Sequence, residues 1–108
     1  MYVEAMIGEI RAFASDTVPD NWLLCNGQVL QIRDNPALFS LLGQMYGGDG
    51  RNTYALPDLR ARLAIHWSHR RPIGEKARAV SGREPTEQQG FLALSFCICV
   101  QGFFPRRK

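Results

Sequence analysis

Trp22-Leu23-Leu24-Cys25-Asn26-Gly27-Gln28-Val29-Leu30-Gln31-Ile32 is the stretch on which the fold turns. Two apolar runs flank Asn26-Gly27, the dipeptide that most readily takes positive φ at both centres of a type I′ turn, so the stretch predicts a β-hairpin. Leu30 and Ile32 alternate with Gln31, which places one face in a core and the other in water. Upstream, Ile7 to Phe13 alternates imperfectly and predicts a half-buried strand. Pro19, Asp20 and Asn21 then supply turn chemistry before Trp22.

Downstream, Arg33 to Gly43 predicts a short helix with both ends marked. Asp34 or Asn35 caps it, Pro36 fits the first position where a missing N–H costs nothing, and Gly43 lies just past the end. Leu38, Phe39, Leu41 and Leu42 form its apolar face. The glycine-rich run 46–51 lacks the lysine and the strand-loop-helix setting of a nucleotide-binding loop, so it reads as tight turning. Thr53 to Leu56 predicts a short strand stopped by Pro57.

Residues 63–90 lose periodicity and predict a long loop with little of its own structure. Phe91 to Phe104 then predicts a long strand. Leu92, Leu94, Phe96, Ile98 and Val100 make a large apolar face, opposed by the small residues Ala93, Ser95, Cys97 and Cys99. The small-residue face predicts close approach of another layer or another subunit, with Cys97, Cys99, Phe103 and Phe104 as interface candidates. The fold class is therefore α+β: a small mixed domain of short strands with a hairpin, one short helix and a long C-terminal strand. One domain over 1–108 is expected, comprising a scaffold (1–62), a loop (63–90) and a C-terminal strand with a basic tail (91–108).

The chain has 108 residues, of which 45% are hydrophobic and 21% charged, enough for one small core and too few for a multi-domain enzyme. Its longest apolar runs fall far short of a bilayer span, and Glu4, Glu9 and Arg11 leave no signal-peptide core, so membrane insertion is not expected and synthesis in the cytoplasm is. The net charge of +3 is unevenly placed, because eight of the thirteen basic residues follow position 62. That basic half favours anionic partners. Trp67 is the lone aromatic near the basic run Arg70, Arg71, Lys76, Arg78 and Arg83, so specific nucleic-acid readout is not expected. Three cysteines cannot close a disulfide framework and read as buried thiols.

Few residues announce chemistry. His66 and His69 stand three apart and are weak metal candidates without two further ligands at recognisable spacing. No serine lies in a nucleophile elbow. Asp49 and Asp58 are the carboxylates a glycosidase would need, but both sit in turns, and Asp58-Leu59-Arg60-Ala61-Arg62 reads as an ion pair that fixes a loop. No catalytic residue and no cofactor are expected.

Several of these runs together resemble the phage tail collar domain family and its stand-alone bacterial members, the microcystin-dependent-protein-like chains. They are Gly8 to Ala14, Trp22 to Gln28, Ala37 to Gly43, Tyr46-Gly47-Gly48-Asp49-Gly50, Leu56 to Arg60 and, at the end, Cys97 to Arg106. Within them Trp22, Asn26, Gly27, Gly47, Gly48, Asp49, Gly50, Pro57, Asp58 and Arg60 match family motif positions, and their expected role is structural. The resemblance implies a tail fibre or tail tip protein of a virion, commonly trimeric, that helps attach the particle to a host surface, in some relatives through lipopolysaccharide. Some relatives hold a metal through histidines near the trimer axis. His66 and His69 lie before that place, so the site does not carry over. Ala61 stands where the family usually has Gly between two arginines, a change expected to alter one turn.

The expected function is a non-enzymatic structural and adhesion module that assembles with itself and with other tail or fibre proteins. Trp67, Arg70, Arg71, Lys76 and Arg78 are the candidates to touch lipopolysaccharide or an anionic surface glycan, since arginine offers forked donors to phosphate and Trp a stacking face. The rival readings are a plug or adaptor of a tail, injection system or pilus-like fibre that binds a protein partner, and more remotely a glycan hydrolase.

Overall fold

A computed structural model describes residues 4–76 and 90–106. Arg78 and the run Ser81 to Gln88 lie outside the described residues. Five short strands and one helix follow in the order β1 (Ile10–Phe13), β2 (Trp22–Leu24), β3 (Val29–Gln31), α1 (Pro36–Leu42), β4 (Thr53–Ala55) and β5 (Ser95–Cys99), with a 3₁₀ turn at Ile32–Asp34. The fold is α+β, built of short strands in antiparallel sheets with one short helix.

The strands form two sheets. In the larger one β5 lies between β1 and β2, antiparallel to both, with Ile98 opposite Ile10 on one side and Leu23 on the other. In the smaller one β3 pairs antiparallel with β4, Leu30 opposite Tyr54.

The hairpin expected at 22–32 is therefore not formed, since β2 and β3 belong to different sheets. Asn26-Gly27 steers the chain from one sheet to the other. Of the pair Gly27 alone takes a positive φ, at 76°, whereas a type I′ turn needs it at both residues. Asn26 Oδ1 accepts the Gln28 N–H at 3.2 Å in an Asx turn. The neighbouring backbone groups go elsewhere: Cys25 N–H to Phe96 O, Gly27 N–H to Pro57 O, and Cys25 O accepts Leu59 N–H. Those longer-range bonds leave none for a local β2–β3 ladder.

The helix lies inside its expected bounds. Asn35 is the N-cap by position, with Pro36 at the start, and Gly43 closes the C-terminus by donating to Phe39 O at 2.7 Å. Its buried Leu38 and Leu42 join Ile7, Cys25, Tyr54, Leu56, Ile98 and Val100 in the main core. Each fully buried side chain of this size contributes about 1.5–3 kcal/mol. Tyr54 satisfies its hydroxyl by donating to Asn35 O at 3.2 Å.

The glycine-rich loop before β4 is held by one carboxylate. Asp49 Oδ1 accepts the N–H groups of Arg51, Asn52 and Thr53 at 2.8–3.0 Å. Those three bonds hold its pKa down at about 2. Gly48 is required beside it, because at φ 87° a Cβ would press on the Tyr54 backbone N at 2.7 Å.

The final strand is shorter than expected, 95–99 rather than 91–104, because β1 and β2 are only four and three residues long and supply no partners beyond that ladder. Phe91, Leu92 and Leu94 extend unpaired and exposed. The small-residue face of β5 is also not free. Cys97 and Cys99 are fully buried in a second cluster with Ala5 and Trp22, flanked by Phe13 and Val18. Trp22 meets Phe13 edge-on at 5.5 Å, and the Arg11 guanidinium lies 5.4 Å from the Trp22 ring. From Cys97 to Cys99 β5 is thus dry on both faces. Beyond it the chain returns to pair with 5–7, where Phe103 O accepts Ile7 N–H and Phe103 N–H donates to Ala5 O.

Candidate functional site

The segment after β4 leaves the body through a clamp built on Asp58. Asn26 and Asp58 form an isolated antiparallel bridge, so the carboxylate is fixed to the strand crossover. Arg60 grips it with two bonds, Nε to Oδ1 at 2.9 Å and Nη2 to Oδ2 at 2.8 Å. Arg62 Nη1 donates to the Asp58 carbonyl at 3.0 Å and stands 3.4 Å from Oδ2. The Arg60 bonds above all hold Asp58 far below the usual carboxylate range. This is the loop-fixing ion pair expected from the spacing.

Both carboxylates a glycosidase would need are thereby spent as acceptors. A general acid needs a raised pKa. Asp49 and Asp58 are both depressed, so neither is set up to protonate a leaving group.

Past the clamp, residues 63–76 carry no regular element and only two local turns, Ser68 to Arg71 and Pro72 to Glu75. The segment lies along the body and borders an open cleft of about 740 Å³. Ile10, Tyr46, Leu59 and Phe96 form the body wall, and Ile65, Trp67 and Ile73 face it from the segment. The charged lining is Asp58, Arg62, Arg71, Glu75 and Lys76.

The two carboxylates in that lining are already paired. Asp58 serves Arg60 and Arg62, and Glu75 Oε1 takes Arg71 Nη1 at 2.8 Å. Lys76 makes no ion pair among the described residues. Among the described residues Arg62 Nε is buried with no hydrogen-bond partner. A buried donor left in that state costs about 1–3 kcal/mol.

Of the surface-contact candidates, Trp67, Arg71 and Lys76 line this cavity, whereas Arg70 is exposed away from it and Arg78 lies outside the described residues. His66 lines it too and stacks on Trp67, ring centroids 6.1 Å apart and planes 22° from parallel. His69 is exposed, and no group of three or more potential ligands that could hold a metal occurs among the described residues.

The interface candidates divide. Phe103 and Phe104 are 61% and 53% exposed, while Cys97 and Cys99 are sealed inside this chain and present no surface to another subunit. Burial pushes both thiols up, and that of Cys25 up to about 12, so all three are poor nucleophiles as they stand. The motif residues Trp22, Gly27, Gly48, Asp49, Asp58 and Arg60 act in the core, the crossover, the loop and the clamp.

The contributions of Ile10, Tyr46, Arg62 and Phe96 were not legible from the sequence. They come from four separated stretches and meet only through the β1–β5 pairing and the clamp. The one local signal was the two-residue spacing of Asp58, Arg60 and Arg62.

Comparison with known proteins finds two similarities. The model of the phage tail collar domain matches residues 8–64. The chain is also 38% identical over 55 residues to the short tail fiber protein gp12 of Enterobacteria phage T4, a match that covers 50% of this chain and 10% of that protein. The chain thus spans a small fraction of the curated relative it matches. No helix among the described residues is long and apolar enough to cross a membrane.

Proposed function

The chain belongs to the phage tail collar domain family, and from that premise we propose that it is a structural module of a tail fibre or tail tip. In this reading it assembles with copies of itself as a trimer, joins other tail proteins, resides on the virion and contributes to host-surface attachment without catalysis. The observation that carries the reading is the family match over 8–64, which ends where the Asp58 clamp launches the exposed segment. Residues 1–62 and β5 serve as scaffold, and the segment after Arg62 is the contact surface. Exposed Trp67, Arg70, Arg71 and Lys76, together with Arg78, meet lipopolysaccharide phosphates or an anionic glycan.

The test is a pair of measurements on the purified chain. Sedimentation equilibrium is expected to return three times the chain mass, and a monomer overturns self-assembly. Beads coated with lipopolysaccharide are expected to retain the chain, and changing Arg70, Arg71 and Arg78 together to Ala should weaken retention by about tenfold or more. Unchanged retention overturns the charged-segment reading. Exposed Phe103 and Phe104 favour one rival, a plug that binds a protein partner. That rival predicts a monomer and no retention on the beads.

A further inference from the structure

We propose that copies of this chain join by strand addition: residues 91–94 of one copy pair along the free edge of β1 in the next. The inference rests on the self-assembly proposed above and names the two surfaces that meet.

β1 is an edge strand, bonded to β5 alone. Along β5 and the residue after it, Phe96 O and Val100 N–H bond the residues flanking β2, Cys25 and Asn21, whereas the Cys99 N–H and C=O bond Glu9 and Gly8 just ahead of β1. Successive residues of a strand direct their backbone groups to opposite edges, so even-numbered positions of β5 serve β2 and odd-numbered ones β1. The N–H and C=O of Ile10 and Ala12, opposite Ile98 and Phe96, therefore face away from β5. They have no hydrogen-bond partner among the described residues, and both residues are exposed. An edge in that state is a template for another strand.

Residues 91–94 are the matching piece. They carry no turn or bend and form no backbone hydrogen bond among the described residues. No charged residue and no proline lies between positions 90 and 104, so nothing in the run opposes pairing. Four residues of unpaired chain match an edge strand of four residues.

One copy cannot join the two by itself. Ser95 is already opposite Phe13 at the end of β1, so 91–94 runs off past it, and the free edge lies on the far side of β1 from β5. Reaching that edge takes a reversal of direction that 91–94 does not contain. A second copy has no such constraint. Burial favours the same occupant, because Phe91 is 64% exposed and Leu94 and Ile10 are each 40% exposed. Covering these three removes on the order of 300 Å² of apolar surface from water in each copy, the size of patch that marks a contact. A strand passed from each copy to the next is a head-to-tail contact, and three such contacts close a ring.

Sedimentation equilibrium of the purified full chain fixes the concentration range of association, and amide hydrogen exchange is then read residue by residue about tenfold below and above it. The Ile10 and Ala12 amides are expected to exchange at least about tenfold more slowly in the associated chain, together with amides of 91–94. Leu92→Pro and Ala93→Pro each remove one N–H, on opposite edges of the added strand. One of the two should weaken association by about tenfold or more and erase the protection at Ile10 and Ala12. Both positions are exposed and lie outside every strand, so circular dichroism of these variants should match the parent. A chain that is monomeric at every concentration overturns self-assembly and this proposal with it. An associated chain in which Ile10 and Ala12 stay unprotected, protection of 91–94 alone, or association unchanged in both proline variants overturns the strand addition and leaves self-assembly standing.

Discussion

Ala61 takes a left-handed conformation, φ 54°, at the third position of the turn that the Arg62 N–H closes onto Leu59 O. Such a position favours glycine, and an L-residue there costs about 1–2 kcal/mol. The turn brings Arg60 and Arg62 both to Asp58. Glycine would relieve the strain but adds about 0.4–1 kcal/mol of unfolded-state entropy to be lost. Ala61→Gly should therefore stabilise the chain by about 0.5–1 kcal/mol, read as a higher urea midpoint with an unchanged slope. A lower midpoint would mean that the turn is not strained. The sequence comparison identified this as the place where a turn would change. The structure shows a turn there with Ala in the left-handed position and the paired Arg60 and Arg62 on either side.

At the scale of elements, β5 concentrates the burial of both clusters, and its value ends sharply at its first residue. Ile98 is fully buried between Ile10 and Leu23, while Leu92, six residues earlier in the same alternating run, is 82% exposed. Ile98→Ala should cost about 2–5 kcal/mol and Leu92→Ala within about 0.5 kcal/mol, measured by urea denaturation of each variant. Comparable losses would show that the strand continues past Ser95. Alternation in 91–104 was enough to say which side chains share a face. It could not say where the partners end, nor that Trp22 covers the cysteine face, because both depend on residues more than seventy positions away. The helix was legible almost to the residue, since its stop and start chemistry is local. The Asn26-Gly27 crossover was misread for the opposite reason: the backbone bonds of Cys25 and Gly27 run to Pro57, Leu59 and Phe96 rather than across a local hairpin.

At the scale of the molecule, the charge asymmetry was plain in the sequence, while the cavity was not, since it exists only where the segment folds back on the body. That segment has only local turns of its own, so its backbone is the first a protease should reach. Brief trypsin treatment should cut after Arg70, the Arg71–Pro72 bond being resistant, before any strand is touched. The two fragments should still elute together in gel filtration, because β5 is held on both edges by strands from the other fragment. Separation of the fragments would show that covalent continuity through the segment is needed to keep β5 in place. The stretch between Arg62 and Ser95 starts at a clamp and ends in a sheet, and each doubling in the length of such a closed loop costs only about 0.6 kcal/mol. A change in the length of this stretch would therefore cost the fold little, so long as the clamp and the sheet that grip its ends are kept.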